Sequence, residues 1–220
     1  MPSTETKRQI DLLALSRQKP LIICDVDEVI VHFIKGLESF LARHDLWLDP
    51  ASFALNGNIK TIIENKPVSG EKVGELLTLF FQEDTRKLQP IEGSITALRA
   101  LAANADVVLL SNLPHEAYED RLVNLKGHGL DFPLVSNRGP KGPAVERLTT
   151  RHQAPVFFID DIGHYLTSVY DHCPHVHLIH FTQDERFSRH AKKLPVEHLR
   201  TDNWHDVEAH IRLKLGEASI

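Results

Sequence analysis

From residue 90 onward the chain alternates short, β-branched apolar runs with stretches in which apolar residues recur every three or four positions. That alternation is the pattern of repeated strand–helix units wound about a mainly parallel sheet. Five runs read as strands: Leu21 to Cys24, Val107 to Leu110, Leu134 to Val135, Val156 to Ile159 and Val176 to Phe181. Each is apolar on both faces, as expected of central strands covered by helices on both sides. The expectation is an α/β fold, a Rossmann-like parallel sheet of about five strands.

Caps and spacing place the helices between them. Ser94 is a candidate N-cap for a helix with Ile95, Leu98, Leu101 and Ala102 on one face. Pro143 falls near the first turn of another, where a missing N–H costs nothing, with Val145, Leu148 and His152 along its side. Asn203 precedes a closing amphipathic helix through Trp204, Val207, Ile211 and Leu215, and residues 5 to 17 also read as helical. Between the first two strands the period is helical throughout. Phe33, Ile34, Leu37, Phe40 and Leu41 form one stripe, and Val73, Leu76, Leu77, Phe80 and Phe81 another. We therefore expect a core domain of residues 1–32 and 90–220 and a small all-helical insertion at 33–89. Its ends, near His32 and Pro90, should lie beside the carboxyl end of the first strand.

Charge narrows the partners. The 220 residues carry 25 Lys and Arg against 30 Asp and Glu, a net charge of −5. No segment gathers enough basic charge to follow a phosphate backbone, so no nucleic-acid partner is expected. No apolar run approaches the roughly 18 residues of a membrane-spanning helix, and the N-terminus lacks the apolar stretch of a signal peptide. The expectation is a cytoplasmic protein with no membrane partner. Cys24 and Cys173 are too few for a disulfide framework and read as reduced thiols.

In an open parallel sheet the ligand crevice lies beyond the carboxyl ends of the strands. There the first strand ends in Asp25-Val26-Asp27, the second in Ser111-Asn112 and the fourth in Asp160-Asp161. If the first and fourth are central, their ends lie within a few strand spacings of about 4.8 Å. Carboxylates so close cannot all stay ionised without a compensating charge. Mg²⁺ suits them, because it prefers carboxylate oxygens and takes further ligands from substrate phosphate. No loop of Ca²⁺-binding spacing is present. Lys141, at the start of the helix after the third strand, can direct an ammonium to the same crevice. Carboxylates, a hydroxyl, an ammonium and a dication are the parts needed for phosphoryl transfer.

These motifs, Asp25-Val26-Asp27-Glu28-Val29, Ser111-Asn112, Lys141 and Asp160-Asp161, stand in the order of the haloacid dehalogenase (HAD) superfamily, which the chain resembles across roughly residues 21–36 and 90–182. Most members of that superfamily are Mg²⁺-dependent phosphohydrolases. The resemblance implies that Asp25 attacks phosphorus to give an aspartyl-phosphate, while Asp27 protonates the leaving alcohol and later deprotonates water. It implies Mg²⁺ held by Asp25, the Asp27 carbonyl and Asp160, with Asp161 orienting a metal-bound water. Ser111 and Lys141 would grip the phosphoryl oxygens, with Asn112 behind them. It also implies that the insertion is a cap that closes over the crevice. Glu28 departs from the pattern, since many relatives have Gly there, and would add an acid on the leaving-group side.

The substrate so implied is a small soluble phosphomonoester, and a nucleotide is a fair first assay. A phosphomutase keeps all four motifs and differs in what accepts the phosphoryl group. A haloacid dehalogenase attacks carbon and has no use for Asp27 or a metal. A phospho-accepting receiver domain would place its acid pair after its first strand and its Lys after its last, whereas Lys141 precedes Asp160; a non-catalytic binding protein that keeps the fold without the activity is left open by intact motifs. Of the other polar features, His172, His175, His177 and His180 alternate along a strand, which argues against one metal site. Asn56, Asn58 and Lys60 are candidates for contact from the insertion, and Arg138 for contact with phosphate.

Overall fold

The computed structural model describes residues 1–150, 152–191 and 193–216. Chain order runs α1 (Thr4–Asp11), β1 (Leu21–Cys24), α2 (Phe33–Ala42), β2 (Leu46–Leu48), β3 (Ile59–Thr61) and α3 (Gly70–Asp84). It continues with α4 (Ser94–Leu101), β4 (Asp106–Ser111), α5 (Tyr118–Gly127), β5 (Leu134–Ser136), α6 (Gly142–Thr149) and β6 (Val156–Asp160). The last elements are α7 (Gly163–His172), β7 (His177–Phe181), α8 (Glu185–Ser188), β8 (Leu199–Thr201) and α9 (Trp204–Lys214).

Six strands form one parallel sheet in the order β5-β4-β1-β6-β7-β8. Five of them, the inner β4, β1, β6 and β7 and the edge strand β5, correspond to the runs read from the sequence. The sixth, β8, was not anticipated, because Leu199-Arg200-Thr201 at an edge is too short and too polar to stand out. Strand alternation divides the core between two faces. Ile22, Cys24, Val107, Leu109, Phe157 and Ile159 pack on one side, with α4 and α9. Leu21, Ile23, Val108, Leu110, Val156 and Phe158 pack on the other, with α6 and α7. Burial on both faces is why these runs are continuously apolar rather than alternating.

Four local expectations are revised. The insertion is not all-helical: between α2 and α3 it carries an antiparallel pair, β2 with β3, in which Trp47 lies opposite Lys60. The Lys60 ammonium sits 5.6 Å from the Trp47 ring, a cross-strand contact that helical periodicity does not register. α1 stops at Asp11 rather than residue 17. Gly93, at φ 80°, is the N-cap of α4, and Ser94 instead donates from Oγ to the carbonyls of Ile91 (2.7 Å) and Ile30 (3.1 Å). His152 lies beyond α6. Asn203 does cap α9, accepting from Asp206 N–H at 2.9 Å.

The ends of the inserted segment meet beside β1, where Val31 bridges to Pro90 and His32 N–H donates to Gln89 C=O at 2.9 Å. Inside the segment, Phe33, Phe40, Phe80 and Phe81 form an aromatic cluster with ring centroids 5.2–5.9 Å apart. No helix among the described residues is long and apolar enough to cross a membrane.

Candidate active site

β1 lies between β4 and β6, with Cys24 in register with both Leu109 and Ile159. The sheet order changes direction at β1, which opens a crevice above its carboxyl end. Asp25 is the first residue past β1, its N–H donating to Ile159 C=O at 2.9 Å, so its carboxylate meets the end of β6. One carboxylate oxygen each from Asp25, Asp160 and Asp161 falls within 4.8 Å of the others. No other group of three metal-ligating side chains converges among the described residues.

Lys141 enters this cluster from the other side. Its Nζ is 2.6 Å from Asp25 Oδ1 and 2.7 Å from Asp160 Oδ2, and the side chain is wholly buried. Packing of α6 on α7 sets it there: a Cβ on Gly142 would stand 2.2 Å from Ser168 C=O, so only glycine allows the approach. Burial alone would lower the Lys141 pKa, but the Asp160 and Asp25 carboxylates outweigh it and hold the ammonium above the ordinary lysine range.

Burial pushes the Asp25 carboxyl up to about 7. Lys141 opposes that shift, and Asp160 and Asp27 add to it. Asp161 is pushed well above the usual carboxylate range by burial, then by Asp160 and Asp25. Three acids against one ammonium leave a surplus of negative charge in a dry site, and their oxygen donors fit a hard dication. Such an ion would favour the ionised forms and reverse these shifts.

Asp27 has side-chain partners of its own. Its Oδ1 accepts from Arg121 Nη2 at 2.5 Å, and its Oδ2 accepts from Ser111 Oγ at 3.4 Å. Arg121 is fully buried, and its Nε and Nη1 have no hydrogen-bond partner among the described residues. Sequence reasoning missed it, although Arg121 and Leu125, spaced by four, share the inward face of α5, in line with the buried Ala117 just before it. We expect Arg121→Met to lower turnover about 10- to 100-fold by freeing Asp27 from its orientation. Steady-state kinetics on protein with unchanged circular dichroism checks this, and wild-type kcat would remove Arg121 from the site.

Glu28 stands at φ 59°, a left-handed conformation that suits glycine. Its carboxylate explains why glutamate is held there. One oxygen accepts from Ile34 N–H at 2.6 Å, and the other accepts from Gln183 Nε2 at 2.9 Å. Ile34 is in the first turn of α2, whose own N-cap, His32, provides no side-chain bond. Glu28 thus caps a helix of the insertion from the loop after β1. Burial raises its pKa to about 7.

The remaining candidates separate clearly. Asn112 donates to Gly139 C=O (2.9 Å) and accepts from Asn137 Nδ2 (2.7 Å), so it braces the loop that leads to Lys141. Arg138 faces Glu116 at the surface, 3.6 Å away. Lys60 pairs with Asp49 at 2.6 Å, Asn58 bonds Ser52 and Ala54, and neither they nor Asn56 line the cavity above Asp25. The histidines disperse. His172 faces Glu146, His177 stacks on Phe157, and His180 lies between Glu197 and the Asp161 carbonyl.

The parallel sheet, with acids gathered at its switch point and an insertion after the first strand, has the fold of solved haloacid dehalogenase-like proteins. Solved structures agree. A conserved haloacid dehalogenase-like protein of unknown function from Agrobacterium tumefaciens superposes with a TM-score of 0.61 at 15% identity, covering 89% of this chain and 98% of that one. A HAD family hydrolase from Deinococcus radiodurans, with bound phosphate and sodium, gives 0.60 at 16% identity over 93% and 100%. A defluorinating L-2-haloacid dehalogenase gives 0.55 at 14% over 91% and 99%. No family model and no curated protein matches the sequence.

The metal-free protein should lose stability as pH rises. Asp25 and Glu28 have folded pKa values raised to about 7, so the stability they confer is complete below their unfolded values and is lost on passing through about 7. In EDTA we expect the melting temperature to fall between about pH 4 and 7 and to level off above that, and saturating Mg²⁺ to reduce that fall. A flat profile in EDTA would contradict the assignment.

Proposed function

We propose that this chain is a cytoplasmic, Mg²⁺-dependent phosphohydrolase that cleaves a small soluble phosphomonoester through an aspartyl-phosphate, with residues 33–89 acting as a cap over the site. The observation that carries this reading is the convergence of Asp25, Asp160 and Asp161 around Lys141 at the end of the central strand. A hard dication bound by the three carboxylates and the Asp27 carbonyl would neutralise charge on the phosphoryl oxygens.

Asp25 forms a bond to phosphorus as the ester P–O bond breaks, and Asp27 gives its proton to the leaving oxygen. Asp27 then takes a proton from water, which attacks phosphorus, expels the Asp25 carboxylate and releases phosphate. Splitting one displacement into two lowers each barrier. Lys141 and Ser111 hold the phosphoryl oxygens, while Arg121 fixes the angle of the Asp27 carboxylate. The fold is shared with a dehalogenase, but attack on carbon would leave Asp27 and its buried arginine without a task.

The test is hydrolysis of a generic aryl phosphate with Mg²⁺. Phosphate release should fall to background in EDTA and return with Mg²⁺. Activity that survives chelation would refute the metal's role, and transfer of the phosphoryl group to a second hydroxyl would identify a mutase.

A further inference from the structure

Above the acids lies a cavity of about 330 Å³. Asp25, Asp27, Asn112, Lys141 and Asp161 line its catalytic end. The rest of the lining is mostly apolar, with the neutral polar Thr182, Gln183 and Ser188 among it, and comes from both parts of the chain. Phe33, Leu77 and Phe81 stand on α2 and α3, Phe53 and Leu55 on the loop after β2, and Phe187 on α8. Phe53 and Phe187 close over one end, ring centroids 5.9 Å apart.

The charges on this lining are lopsided. Among its described residues Lys141 is the sole Lys or Arg, and it is buried against Asp25 and Asp160. Glu28 and Asp184 add two more carboxylates to the lining. Arg186 is the cation beside Asp184, but its guanidinium is already held by Asp184 (2.7 Å) and Glu38 (2.6 Å). A second anionic group on a substrate would therefore be desolvated with no cation to receive it, the costliest way to bury a charge. An aromatic or branched apolar body would meet side chains of its own kind.

We propose that this chamber selects a phosphomonoester whose leaving group is an uncharged alcohol with an aromatic or branched apolar body, and that it rejects substrates bearing a second anion. This rests on the phosphohydrolase reading and goes beyond it by naming the class of leaving group. Polyphosphates, bisphosphates and phosphorylated carboxylic acids are thereby excluded.

Three phosphates of primary alcohols, 4-methylbenzyl, 4-carboxybenzyl and ethyl, test it. With Mg²⁺ present, kcat/KM should be about 50-fold higher for 4-methylbenzyl than for ethyl phosphate, as burial of a ring's apolar area provides. It should fall at least 100-fold from 4-methylbenzyl to 4-carboxybenzyl phosphate. Values for all three within threefold, or a preference for the carboxylate, overturn the proposal. The corresponding phosphonates, titrated by calorimetry, separate the two levels. If no ester turns over but the 4-methylbenzyl phosphonate still binds tightest, the hydrolase reading fails and the chamber's selectivity stands. Equal binding of all three overturns the selectivity itself. Leu77→Arg adds a cation to the wall, and we expect it to raise kcat/KM for the carboxylated ester at least tenfold while lowering that for its methyl counterpart. A folded variant that leaves the ratio of the two esters unchanged counts against the proposal.

Discussion

Asp25→Asn should lower kcat by three orders of magnitude or more while leaving a folded protein. Asn keeps the shape of the side chain, but its amide is a poor nucleophile, so the covalent route through residue 25 closes. The Lys141 contact survives through the amide oxygen, and one charge leaves an overcrowded acidic cluster. The variant should therefore melt no lower than the wild type in EDTA at pH 8, where Asp25 is ionised at a cost. Single-turnover experiments with a labelled phosphomonoester should trap label on the wild-type chain and none on the variant. Label retained by Asp25→Asn would move the nucleophile elsewhere.

Lys141→Met has its largest effect on stability. The ammonium is the one cation touching both Asp25 and Asp160, and all three side chains are at most 9% exposed. Breaking a buried ion pair by removing one partner costs about 3–5 kcal/mol. For a chain of this size that lowers the melting temperature by roughly 10 °C. The loss should be greatest in EDTA and smaller in excess Mg²⁺, because a bound dication takes over part of the neutralisation. Turnover should remain impaired even with metal, since no ammonium then faces the phosphoryl oxygens. An unchanged urea midpoint in EDTA would mean that the cluster is not held together by Lys141.

The parallel sheet was legible because its central strands are short and bury both faces, so the apolar runs could stand for nothing else. The acids were legible for a related reason: strands end where the chain turns polar, and in this topology those ends gather. The hairpin of β2 and β3 was not, since three residues per strand are too few for a period and Ile59, Ile62 and Ile63 imitate a helical face. Arg121 was hidden for want of a partner. Its position marks an inward face, but only the fold discloses that Asp27, 94 residues earlier, waits there. Glu28 is intermediate. Its departure from glycine was visible, yet of the two donors that sustain it only the Ile34 N–H is near in sequence, while the Gln183 amide lies 155 positions away.

The bond from Glu28 to Gln183 spans 155 positions, and the one to Ile34 joins the loop after β1 to the inserted helices. Until both are made, the backbone at residue 28 has little reason to remain left-handed, a conformation that costs about 1–2 kcal/mol outside glycine. Assembly order follows from this. The loop beside Asp25 takes its final shape only once α2 and the segment that follows β7 are both in place, so the inserted helices and the sheet must be assembled before this loop is fixed.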